Sequence, residues 1–302
     1  MDCIRRAWLV MGTRTLELED DLAGYAAIEL DLGFPEVREV VSARPGADGV
    51  DDRTSLMGSR AISVNVRNFS GTMTPDEVAT LFAPFMLPSA RPELHYVLDR
   101  PGAPERMAVV RSSGYGWPIT GQRKREIHLS WIAADPIFRD PAQRSSSSRS
   151  GSTTTPGRTY PLDYRTYTSR TYPPGGGSAT TGEIVSPGDV PVRPLLRIFG
   201  PITDPRVEIQ VMDPATKVAD YAIAFVTGTI IDPGHWIDLD TDRRTALWDS
   251  DPLQSAMSDV DWQTSTWPHL PPSPAISYFN LYGDSTSGVS QVEATWMDGY
   301  LT

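Results

Sequence analysis

The sequence predicts a mainly β protein in two β-rich halves: an N-terminal domain with one short α-helix over residues 1–141, and a C-terminal antiparallel β-sandwich over residues 190–302. Three observations predict it. Apolar and polar residues alternate with a period of two at Ile62, Val64 and Val66, at residues 127–132 (IHLSWI), and at Val292, Ala294 and Trp296, as in strands with one buried face. The 27 prolines cut the chain into short segments that suit strands and turns more than long helices. Only one stretch carries a helix pattern.

From the N-terminus, residues 8–11 and 15–18 read as strands flanking the turn at residues 12–14 (GTR), and residues 42–52 (SARPGADGVDD) read as a loop. The helix starts at Thr74-Pro75-Asp76-Glu77, with a capping threonine, proline at the first helical position and glutamate three residues past the cap. Val78, Leu81, Phe82 and Phe85 follow as one apolar stripe, and Pro88 stops it, giving about three turns. Residues 94–98 and 107–111 read as a hairpin around residues 101–104 (PGAP), and residues 126–132 close the first half. In the second half, strands are expected at 194–199, 207–211, 221–226, 229–231, 236–240, 245–248, 275–282 and 290–297. No helix pattern and no internal repeat appears there.

Between the halves, residues 142–189 read as a basic Ser/Thr/Tyr/Gly-rich linker and arm. Residues 142–182 hold five arginines and one acid, Asp163, a net +4 inside a chain of net charge −11. The Ser/Thr-rich start (142–157) is expected to be flexible. Tyr160, Tyr164, Tyr167 and Tyr172 bring rings that favour burial, so residues 158–174, with Arg165 and Arg170 among the tyrosines, are expected to run extended and pack on another domain or subunit.

The residue types that mark chemistry are scattered. Residues 238–242 (DLDTD) open like a calcium loop, but Arg243 and Asp249 stand where such a loop needs Gly and Glu, so a hairpin tip is the expectation, with no metal. His95, His128, His235 and His269 show no paired spacing. There is no nucleophile elbow or phosphate-binding glycine loop, and residues 114–118 (GYGWP) read as a loop with aromatic anchors. Cys3 is the only cysteine, which excludes an internal disulfide and a thiolate cluster. The acidic balance argues against specific nucleic-acid binding. No apolar run is long enough for a membrane span, and residues 7–11 are too short for a signal peptide, so synthesis in a cytoplasm is expected. No cofactor and no enzyme activity is expected. Trp236, Trp248, Trp262, Trp267 and Trp296 leave one further reading open: a carbohydrate-binding sandwich that contacts a host surface.

The order of several motifs resembles the distal tail protein family of long-tailed (siphovirus) bacteriophages, called minor tail proteins in phages of actinobacteria. Residues 56–62 (LMGSRAI) resemble the family's Gly-x-Arg-apolar strand start. The helix from Pro75, residues 94–96 (LHY) and residues 134–138 (ADPIF) fit its order in the first domain. In the second, residues 194–201, residues 204–207 (DPRV), the aspartate hairpin at 236–245 and residues 267–270 (WPHL) resemble its pattern. The departure is the long segment 142–182. The resemblance implies a homohexameric ring at the tail tip of the virion, formed by the first domain, with a galectin-like sandwich projecting from it. It implies as partners the tail tube protein, the tail-tip hub or tail-associated protein, other minor tail proteins and the tape measure protein, and no catalysis.

Overall fold

The computed structural model describes residues 4–20, 22–38, 41–43, 50–52, 56–69, 73–116, 126–150, 159–164, 167–171, 180–213, 216–284 and 290–301. The chain divides into two compact units, Met1–Pro141 with Tyr300–Thr302, and Ala142–Gly299.

The first unit is built on strands β1 (Ile4–Met11), β2 (Arg14–Glu17), β3 (Tyr25–Asp31), β4 (Pro35–Arg38), β5 (Val41–Ala43), β6 (Val50–Asp52) and β7 (Leu56–Asn68). Helix α1 (Pro75–Phe82) follows, then β8 (Glu93–Leu98), β9 (Glu105–Gly116), β10 (Glu126–Ala133) and β11 (Phe138–Arg139). The sheet runs β2-β1-β8-β9-β10-β7-β3, with β4 on β7 and β11 on β9. It curls until its ends nearly meet: the Leu18 amide donates to the Ala7 carbonyl (2.9 Å), and the Ala27 amide donates to the Leu18 carbonyl (2.9 Å). A single residue thus bridges β1 to β3.

The helix begins as its sequence dictates. The Glu77 amide donates to the Thr74 hydroxyl (3.3 Å), and the Thr74 amide donates to the Glu77 carboxylate (2.7 Å), closing a capping box. It is shorter than expected: the α-helix ends at Phe82 and a 3₁₀ turn, Ala83–Met86, completes the segment. Because that turn advances faster than an α-helix, Phe85 and Met86 reach the sheet with Val78 and Phe82, while Leu81 turns outward. They pack on Leu9, Val64, Leu94, Tyr96, Leu129 and Trp131, inward residues of four strands. The stretch expected as a loop contains two short paired strands, β5 and β6, each begun by a strand-forming valine, Val41 and Val50.

The chain returns to this unit in the two-residue strand β24 (Gly299–Tyr300), which pairs with β11. The Tyr300 ring lies under the buried Arg106 guanidinium at 4.3 Å. Arg60, fully buried, spreads its guanidinium over the Phe138 ring at 4.5 Å and donates to the Leu301 carbonyl at 2.6 Å, across 241 sequence positions.

The second unit is a sandwich of two five-stranded antiparallel sheets. Its strands are β12 (Arg144–Arg149), β13 (Thr159–Tyr164), β14 (Tyr167–Thr171), β15 (Gly182–Ile184), β16 (Leu195–Phe199), β17 (Ile202–Asp213), β18 (Thr216–Ala224), β19 (Ile230–Ile231), β20 (Trp236–Asp240), β21 (Thr245–Trp248), β22 (Ile276–Asp284) and β23 (Gln291–Trp296). One sheet runs β12-β23-β16-β20-β21; the other runs β15-β22-β17-β18, with β19 on β17. Alternate residues of both bury into one core, Leu196, Ile198, Leu239, Val292 and Trp296 against Val207, Ile209, Val211, Phe279 and Leu281.

The start of the expected flexible linker is instead an edge strand of this sandwich. β12 pairs residue for residue with β23, from Arg144 opposite Trp296 to Arg149 opposite Gln291. The serine run is used for its small size. The buried Ser148 hydroxyl donates to the Thr180 carbonyl (2.6 Å), and the Ser146 hydroxyl accepts from the Glu183 amide (3.0 Å). Arg144 holds the fully buried Asp298 at 2.6 Å. Partner pairing overrides the low strand propensity of serine.

Candidate functional site

The expected contact arm is partly described. Tyr160 lies in β13, and Tyr167 and Arg170 lie in β14, with Tyr164 the last residue of β13. Arg165 and Tyr172 lie outside the described residues, as do residues 151–157 of the expected flexible stretch and Arg158 at the start of the arm. The two strands fold back on each other, Thr159 opposite Thr171, Tyr160 opposite Arg170 and Tyr164 opposite Tyr167. The described part of the segment is extended, as two short strands that pair with each other.

The first unit offers a second interaction feature, which sequence reasoning missed. Among the described residues β2 pairs only with Trp8 to Met11 of β1. Past the Leu18 bridge, Ile4, Arg5 and Arg6 of β1 and Ile28, Glu29 and Leu30 of β3 line an open cleft of about 450 Å³. Among the described residues no strand fills it. Its only sequence signal was the absence of alternation in β3, half of which is solvated.

The remaining candidates resolve as structural groups. Residues 238–240 end β20, and residues 241–244 turn back into β21, as expected of a hairpin. The Asp240 carboxylate accepts from the Asp242 and Arg243 amides (3.0 and 2.9 Å), and Asp238 accepts from Arg197 (2.6 and 3.0 Å) and the Ser250 hydroxyl (2.5 Å). These bonds consume the carboxylates. Among the described residues no three His, Cys, Asp or Glu side chains stand where they could hold a metal, and no helix is long and apolar enough to cross a membrane.

The histidines separate. His95 lies on the sheet face away from the helix, as its strand pattern predicts, yet it is buried there. It stacks on Trp8 (5.3 Å), with its ring nitrogens 2.7 Å from Glu105 and 3.3 Å from Glu93. His128 is exposed beside Asn65. His235 lies 2.7 Å from Asp249, whose carboxylate raises the imidazole above its ordinary value and is itself held low by that contact and by the Trp236 amide. His269 is held below its ordinary value by burial and then by the Arg193 charge.

The tryptophans do not form one platform. Trp296 is core, as its alternation predicts. Trp248 donates to Asp259 (3.1 Å), Trp236 packs beside Phe199 and Arg197, and the half-exposed Trp262 lies against Trp267.

A broader polar surface lies on the outer face of β15-β22-β17-β18. There Arg206, Glu208, Gln210, Asp220, Asn280 and Tyr282 line a trough of about 460 Å³.

Comparison with known proteins bears on the fold. The crystal structure of the SPP1 Dit (gp 19.1) protein, described as a paradigm of the hub adsorption apparatus in phages that infect Gram-positive bacteria, aligns with TM-score 0.55 at 14% identity. That alignment covers 98% of this chain and 99% of the other. A phage P2 baseplate structure in its activated conformation with Ca aligns with TM-score 0.40 at 12% identity, over 96% of this chain and 97% of that one. No family model and no curated protein sequence matches the chain. The chain has the fold of the SPP1 Dit protein across both of its units, the architecture that the order of its sequence motifs implied.

Proposed function

We propose that this chain is a distal tail protein, a structural, non-catalytic component of the tail tip of a long-tailed phage. It forms a ring of six copies that joins the tail tube to the baseplate hub and fibres. The observation that carries this reading is the end-to-end likeness to SPP1 Dit, spanning both units at an identity too low to reflect recent descent. Two features of the chain support it. The open cleft between β1 and β3 leaves strand edges that a neighbouring subunit covers in an oligomer. The net charge of −11 suits a conduit through which DNA passes without sticking.

In this reading the first unit supplies the ring contacts, and the sandwich projects as a galectin-like module. The β13–β14 hairpin, with Tyr160, Tyr164, Arg165, Tyr167, Arg170 and Tyr172, touches a neighbouring domain or subunit. The tube protein, hub protein, tape measure protein and other minor tail proteins are its partners in the virion.

Light scattering with negative-stain microscopy of the purified chain tests the proposal. Particles of six chain masses with six-fold symmetry are expected. A chain that stays monomeric at high concentration overturns the ring. Replacing Tyr160, Tyr164, Tyr167 and Tyr172 together by Ser tests the arm: weaker rings and faster proteolysis of residues 151–179 are expected. Unchanged values of both reduce the arm to a tether.

A further inference from the structure

We infer that the outer face of β15-β22-β17-β18 is a saccharide-binding site for a neutral polyhydroxylated ring. This goes beyond the tail-tip role and stands on different residues from the tryptophans singled out in the sequence.

The inference begins with register. Arg206 stands opposite Tyr282 on one side and Ala224 on the other; Glu208 stands opposite Asn280 and Ala222; Gln210 stands opposite Tyr278 and Asp220. Two of these three rows of long polar or aromatic side chains therefore end, on the β18 side, in alanines, Ala224 and Ala222. The missing side-chain length makes the trough. Its far wall is Thr266, whose amide donates to the Ala222 carbonyl (2.6 Å) and whose hydroxyl accepts from the Ala222 amide (3.0 Å), so the wall is fixed to the sheet.

The charge balance then selects the ligand class. The Arg206 guanidinium lies 2.8 Å from Glu208, and Lys217 pairs with Asp220. Each charge that lines the trough has its opposite beside it. A phosphate or carboxylate ligand would need an uncompensated cation, and a cationic ligand an uncompensated carboxylate. What the trough does present is a set of neutral donors and acceptors, the Gln210 and Asn280 amides and the Thr266 hydroxyl, around the half-exposed ring of Tyr282. Sugars need that combination: paired hydroxyl partners at the rim and an aromatic surface for the C–H face of the ring. Asn280 is preorganised for it. The Thr181 hydroxyl donates to its side-chain oxygen (2.8 Å), which fixes the amide plane and leaves the NH₂ to donate to a ligand.

The test is saturation-transfer NMR on the full chain with galactose, glucose, mannose, N-acetylglucosamine and oligomers of each as neutral probes, and poly(glycerol phosphate) as an anionic one. At least one neutral sugar should bind with a Kd on the order of 1 mM, the range of a shallow single site. Asn280→Ala and Tyr282→Ala should each weaken it at least about tenfold, Tyr282→Phe should keep it, and Trp262→Ala should leave it unchanged. Both trough positions are partly solvated, and matching circular dichroism of the variants confirms that they fold. The inference is overturned if no neutral sugar binds, if only the anionic polymer binds, or if binding survives at Asn280 and Tyr282 but is lost at Trp262. None of these outcomes alters ring formation, so failure here and failure of the tail-tip reading are distinguishable.

Discussion

Replacing Gly182 by alanine tests whether the middle of the chain is part of the sandwich. Gly182 is the first residue of β15 and stands directly opposite Phe279, which is fully buried. A Cβ at position 182 would meet three atoms of the Phe279 ring, with Cε2 at 2.6 Å and the other two closer. Ordinary carbon contacts lie near 3.5–4 Å, so the ring must retreat by about 1 Å into a close-packed core. Overpacking of this kind costs about 1–3 kcal/mol, and a rigid ring held between two sheets places Gly182→Ala at the upper end, near 3 kcal/mol. Phe279→Leu alone should cost about 1.5 kcal/mol or less. Together the two changes should cost less than Gly182→Ala alone, because the smaller side chain makes room for the methyl group. The coupling should then exceed the cost of Phe279→Leu alone, at about 1.5 kcal/mol. Urea unfolding, followed by hydrogen exchange of peptides from residues 202–213 and 276–284, reports on this unit alone. With a slope near 2 kcal/mol per molar urea, the midpoint should fall by about 1.5 M. A Gly182→Ala protein within about 1 kcal/mol of the parent, or costs that add within about 0.5 kcal/mol, refutes the packing argument.

Three further outcomes are expected. Thr74→Ala removes the hydroxyl half of the capping box and should cost about 1 kcal/mol in the first unit, with Thr74→Ser retaining most of it, measured by thermal unfolding. In the same variant the Glu77 carboxyl, held low by the Thr74 amide and hydroxyl, should rise toward its ordinary value in an NMR titration. The His235–Asp249 pair should stabilise the second unit only within a pH window. Its contribution is lost as pH rises through the elevated imidazole value and as pH falls through the depressed carboxylate value, and Asp249→Asn should return His235 to its ordinary titration. Tyr25 is pushed up to about 12, first by burial and then by the charges of Asp20 and Glu17. The folded state therefore resists its ionisation, stability falls as pH climbs from 10 toward 12, and Tyr25→Phe should flatten that decline.

Much of the fold was legible wherever one face of an element is buried and the other wet. β20 and β21 lie at the expected boundaries, and Ile62, Val64 and Val66 are all buried. The helix was legible from its cap. β12 was not, because serine has no hydrophobic alternation to read; its strand exists through pairing with β23. β3 was missed for a related reason, since its outward residues meet solvent and its pattern is blurred by a bulge between Ala27 and Glu29. The trough was invisible for a third. Glu208 and Asn280 become neighbours only through sheet register, and no local spacing relates two residues 72 positions apart. The charge excess of residues 142–182 was correctly read, but its described arginines divide between a sandwich edge, which holds Arg149 and Arg144 beside Asp298, and β14, which holds Arg170.

The bond from Arg60 to the Leu301 carbonyl also sets a timetable. A ribosome adds about 5–20 residues per second, so the 241 positions between the two residues are about 10–50 s of synthesis. Through that interval the guanidinium that ends fully buried must remain hydrated or make do with the carbonyl of Gly33, 3.2 Å away in the finished fold, and, once it is made, Phe138. Tyr300 arrives equally late beneath Arg106. The first half of the chain to be made is thus the last to be completed, and whatever recognises its finished surface meets it only after the sandwich has been translated.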